Sequence, residues 1–120
     1  MTIILLYEIG GTPPKAEELY RSIQTLTADN GAHVSSIVDL VFCCAIHYLA
    51  YGCDRKFQRH IDTHARLPRL LRTEGESDIA NTFELIDTLR HGRVYGGKGN
   101  GEAIAEALNL LEVIIQWSHT

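Results

Sequence analysis

The chain has 120 residues, 45% of them hydrophobic and 22% charged, with a formal net charge of −4. These figures fit one folded domain large enough to bury a core and exclude a disordered tail. An acidic balance also argues against binding nucleic acid over the whole surface, while leaving room for a local basic patch.

Thr2 to Ile9 is apolar and β-branched and stops at Gly10-Gly11. It is too short for a secretion signal and has no basic leader. A lone strand would have no partner in this sequence, so residues 1–12 are expected to form an N-terminal arm or a frayed helical turn. Thr12-Pro13-Pro14 then opens a helix: Thr12 suits the N-cap, proline is tolerated in the first turn, and Glu17 and Glu18 meet the positive dipole end. Ala16, Leu19, Tyr20, Ile23 and Leu26 recur at helical spacing until Asp29-Asn30-Gly31.

A second helix is predicted from about Ala32 to Tyr51. Val34, Ile37, Val38, Val41, Phe42, Ala45, Ile46, Leu49 and Ala50 leave it almost no polar face, which places it at the centre of a bundle. Cys43 and Cys44 lie in this run and read as small buried hydrophobes; three cysteines without framework spacing fit a reducing compartment. Asp39 and His47 fall two turns apart on one side, either an acid–base pair or two separate polar contacts to neighbouring helices. No apolar run is read as reaching the roughly 18 to 20 residues that span a bilayer. A soluble, cytoplasmic protein without membrane attachment is expected.

Gly52-Cys53-Asp54 is read as breaking this helix, with Arg55 to Asp62 as a polar connection. Thr63 is a good N-cap for a helix in which Leu67, Leu70 and Leu71 face inward and Pro68 sits near the first turn. Arg66, Arg69 and Arg72 fall on its opposite face. With Arg55, Lys56 and Arg59 they form the main concentration of positive charge, either a solvated, ion-paired face or a surface for RNA or an acidic partner. After a turn at Thr73 to Gly75, Ser77 and Asp78 start a helix that buries Ile79, Phe83, Ile86 and Leu89.

That helix runs into Leu89-Arg90-His91-Gly92-Arg93-Val94-Tyr95-Gly96-Gly97-Lys98-Gly99-Asn100-Gly101. Glycines here let the backbone turn tightly and expose successive N–H groups, and Arg90, Arg93 and Lys98 add cations. Together with the following helix N-terminus this makes an anion site for a phosphate; the alternative is a solvated helix–helix loop. Asn100 caps the last helix, whose apolar face includes Ala103, Ile104, Ala107, Leu108, Leu111, Ile114, Ile115 and Trp117, and Glu102 takes up part of its dipole.

No G-x-S-x-G, C-x-x-C or H-E-x-x-H pattern occurs. His60 and His64 have a helical metal-ligand spacing but no evident third ligand beyond Asp62, so no metal and no cofactor is expected. Gly97-x-Gly99-x-Gly101 has no preceding strand, and Lys98 is not followed by Ser or Thr, so neither nucleotide fingerprint is met. The expected fold is all-α, a single domain over residues 1–120 built as an up-and-down bundle of four or five helices.

The order of these pieces resembles the HEPN superfamily over about residues 15–118. The resemblance is carried by Ala45-Ile46-His47-Tyr48-Leu49-Ala50-Tyr51, then Thr63-His64-Ala65-Arg66-Leu67 leading to Leu70-Leu71-Arg72, then Leu89-Arg90, a basic turn and a final amphipathic helix. It implies a homodimeric helical bundle, often the toxin partner of a small nucleotidyltransferase, with active members acting as metal-independent RNA endonucleases. The family signature is an Arg, about four to six intervening residues and a His at the start of the last long helix; Arg holds the phosphate and His moves a proton during attack by a ribose 2′-hydroxyl. Arg90 matches the Arg, but Tyr95 stands at the His position, and a phenol with a pKa of about 10 is a poor base at neutral pH. The resemblance therefore implies a nucleotide- or RNA-binding module with a degenerate motif; a toxin-type ribonuclease or a structural dimerisation domain are the alternatives. Arg90, Tyr95 and His91 are the candidate catalytic residues, and Arg93, Gly97, Lys98, Gly99, Asn100 and His64 the candidate ligand-binding ones. Arg59 and His64 also satisfy the Arg–His spacing, ahead of an earlier helix.

Overall fold

A computed structural model describes residues 14–27, 34–60, 63–91 and 100–120, with only the helical backbone at Val34, Ser35, Asn100 and Gly101. Every regular element among them is helical: α1 (Pro14–Thr27), α2 (Val34–Phe57), a 3-10 turn (His64–Arg66), α3 (Leu67–Thr73), α4 (Ser77–Arg90) and α5 (Asn100–His119). The N-terminal arm and the Thr12 cap lie outside the described residues.

Helix α2 is the hub, as its unbroken apolar character requires: it packs on α1, α4 and α5, while α3 lies on α4 and α4 on α5. Ile37, Val38, Val41, Cys44, Ala45, Leu49 and Cys53 of α2 are fully buried against Ile23, Leu71, Ile86, Leu111 and Ile114 from the helices around it. Phe42 of α2 meets both Phe83 and Arg90 of α4, and Tyr51 meets His119 near the C-terminal ends of α2 and α5. The described helices form an all-α bundle, with α3 inserted between α2 and α4.

Gly52 does not break α2, which continues to Phe57. A β-carbon at position 52 would lie 2.9 Å from Trp117 Cη2 and 3.0 Å from Cε3, so the glycine is a notch into which the α5 indole seats. Lys56 Nζ sits 5.2 Å above the same indole, and the Phe57 ring is 6.3 Å away. Packing of the indole offsets the helix-propensity cost of glycine, about 1 kcal/mol.

The helix ends later, at Gln58, whose φ of +52° is left-handed. Its N–H donates to the Asp54 carbonyl at 3.1 Å, and the chain then turns back toward α3. Gly75 ends α3 in the same way, with φ of +85°, its N–H on the Arg72 carbonyl and the Glu76 N–H on Leu71. Thr63 Oγ1 accepts from Ala65 N–H at 3.4 Å, so the expected cap serves the 3-10 turn and α3 follows with Pro68 in its first turn.

Two further readings change. Ser36–Phe57 is long and apolar enough to cross a membrane, with a mean hydropathy of 1.6, a length that appears only once the helix is seen to pass through Gly52. Most of it is covered by α1, α4 and α5, as befits a core helix. Cys43 is exposed whereas Cys44 is buried, because adjacent residues of a helix point about 100° apart.

Candidate functional site

The C-terminal turn of α4 is where sequence-predicted site residues come together. Phe83 and Arg90 are separated by two turns, about 10.5 Å of rise. The Phe42 ring from α2 fills that interval: it stacks on Phe83 at 5.3 Å and 17°, and the Arg90 guanidinium lies 4.1 Å from its centroid. His64, leading the 3-10 turn, meets the same ring nearly perpendicularly at 5.6 Å and 83°. Arg90 and His64, from opposite sides of the crossover, thus share one aromatic anchor. Phe42 was not singled out from the sequence, because nothing local distinguishes it within the apolar run of α2. The spacing of Phe83 and Arg90 on α4 was the available signal for an aromatic between them.

Arg90 is held on its other side by Asp87, with Nε and Nη2 both donating to Oδ1 at 3.2 and 3.1 Å. Its side chain keeps 33% of its exposure, and among the described residues Nη1 makes no hydrogen bond. His91 shares Asp87 with Arg90: Nδ1 donates to the Asp87 carbonyl at 2.8 Å and lies 3.5 Å from Oδ1 of its carboxylate. His91 is therefore engaged with its own helix. His64 is exposed, with no hydrogen bond to either ring nitrogen among the described residues. Chemically, the arrangement offers a positioned guanidinium and an accessible imidazole on one ring. Tyr95, Arg93, Gly97, Lys98 and Gly99 lie outside the described residues, and of Asn100 only its place at the start of α5 is described.

The basic residues around α3 separate into three fates. Arg55 donates to the Ser118 carbonyl at 2.8 Å, and Lys56 donates to Thr120 Oγ1 at 3.1 Å, so both fasten the end of α5. Arg72 makes a two-pronged pair with Glu84, at 3.0 and 2.7 Å, and also donates to Asn81. Arg59, Arg66 and Arg69 instead line a groove of about 340 Å³ with Leu70 and Thr73. Asp39 and His47 do not form a pair: Asp39 is exposed, and His47 is half-buried, with burial and then nearby Lys15 holding its pKa below the usual value. His60 lies beyond the end of α2 and His64 begins the 3-10 turn, so no single helix presents both.

No family model matches the chain, and no curated protein or solved structure matches it.

Proposed function

We propose that this chain is a HEPN-like helical module that binds phosphate groups of RNA or a nucleotide at the Arg90 end of the bundle, without cutting RNA. The observation that carries the reading is the convergence of Arg90 and His64 on Phe42. The helix order and the all-helical bundle of the described residues support the HEPN comparison. Asp87 positions the guanidinium without blocking it. A partly exposed carboxylate pair contributes about 0–1 kcal/mol, whereas charge-assisted bonds to phosphate are roughly twice as strong as neutral ones. The engagement of His91 with Asp87 and the tyrosine at the motif's His position both favour binding over cleavage.

Fluorescence polarisation with labelled single-stranded RNA and labelled nucleotide tests this. Saturable, salt-sensitive binding is expected, weakened at least about tenfold by Arg90→Ala and further by adding Lys98→Ala. Absence of saturable binding, or affinity unchanged in the double variant, would refute it. The HEPN reading also brings a second copy and a small nucleotidyltransferase as expected partners, to be sought by light scattering and co-purification.

A further inference from the structure

A second site follows from the groove beside α3, independently of the HEPN reading. Gln58 turns the chain back after α2, so that Arg59 comes alongside α3, which presents Arg66 at its N-cap and Arg69 in its first turn. Arg66 and Arg69 have no ion pair among the described residues, and Arg59 has one long contact, 3.5 Å to Glu74. Their neighbour Arg72 is fully engaged by Glu84 and Asn81, so carboxylates on this surface do pair with arginines where they can reach. Two guanidinium groups without a carboxylate among the described residues, and a third held by one long contact, surround one groove in a chain of net charge −4, and their mutual repulsion falls when an anion joins them.

We propose that the Arg59–Arg66–Arg69 groove is a phosphate-binding site. A phosphate offers several anionic oxygens on one centre and matches guanidinium donors from different directions, and the groove's volume is that of a small-molecule site. Free polyphosphate and the phosphodiester backbone of RNA share this chemistry.

Calorimetric titration with inorganic tripolyphosphate and with a twelve-nucleotide single-stranded RNA distinguishes the two sources. The variants are Arg66→Ser with Arg69→Ser, both at exposed positions, and circular dichroism checks that the helices are retained. The double variant is expected to lose at least tenfold in affinity for tripolyphosphate and, with RNA, to lose the binding step that Arg90→Ala leaves in place. Tripolyphosphate binding alone identifies a free polyphosphate ligand, and RNA binding with little tripolyphosphate binding identifies the backbone; both support the site. It is overturned if neither probe binds, if the double variant binds as the parent does, or if a poly-glutamate peptide binds more tightly than both probes. Loss on Arg90→Ala with the groove variant silent would overturn this site and leave the Arg90 reading standing.

Discussion

Substituting Gly52 by alanine sets two effects of opposite sign against each other. In the middle of a helix, alanine is favoured over glycine by about 1 kcal/mol, so propensity alone predicts a more stable protein. The new methyl carbon, however, would lie 2.9 Å from Trp117 Cη2 and 3.0 Å from Cε3. Carbon contacts are comfortable near about 3.5–4.0 Å, so several ring atoms overlap at once. The indole is rigid and bordered by Phe57 and Lys56, so it must be lifted from its seat. Overpacking costs about 1–3 kcal/mol, and a tryptophan side chain buries about 150–250 Å², so losing half its cover at about 25 cal/mol/Å² costs a further 2–3 kcal/mol. After subtracting the propensity gain, Gly52→Ala is expected to destabilise by about 2–5 kcal/mol. Trp117 is the only tryptophan in the chain, so urea unfolding followed by its emission reports both stability and local environment. The expected result is a lower midpoint and a red-shifted native spectrum. Introducing Trp117→Leu should make Gly52→Ala neutral or stabilising, which a double-mutant cycle followed by circular dichroism measures. A stabilisation of about 1 kcal/mol with unchanged emission would refute the notch.

Three other outcomes are expected. Asp54 is buried, Oδ1 has no hydrogen bond among the described residues, and burial raises its carboxyl pKa, an effect only partly countered by His60 at 3.9 Å. A raised folded pKa means that ionisation costs stability as pH rises through it, so Asp54→Asn should stabilise at pH 7 and lose that advantage as the pH falls to the ordinary value of 3.8; equal gains in urea midpoint at both ends would contradict this. Gln58→Gly relieves a left-handed residue at a cost in chain entropy, for a net gain of about 0.5–1 kcal/mol in thermal unfolding; a loss would contradict it. Cys43 is exposed whereas burial pushes the Cys44 and Cys53 thiols up to about 12, so native protein should take up one equivalent of thiol reagent quickly and unfolded protein three.

The helical class and the central place of α2 were legible because they depend on local periodicity and on an apolar run with no polar face. Gly52 was misread because its partner, Trp117, is far along the chain, and local spacing carries no trace of a seat that forms only on packing. The same limit explains the arginines. Arg66, Arg69 and Arg72 share helical spacing, yet Glu84 on the next helix captures the last and leaves the others lining a groove. At the candidate site, Arg90 was legible as a cation at a helix end. Its clamping by Phe42 and its proximity to His64 follow from how α2, α4 and the 3-10 turn meet.

The most direct test of the Arg90 site is nuclear magnetic resonance of the arginine side chains during titration with single-stranded RNA. The Arg90 Nε–Hε signal is expected to move together with the His64 ring signals, saturating at one ratio and reversing with added salt. Movement elsewhere, with Arg90 and His64 both still, would contradict the account.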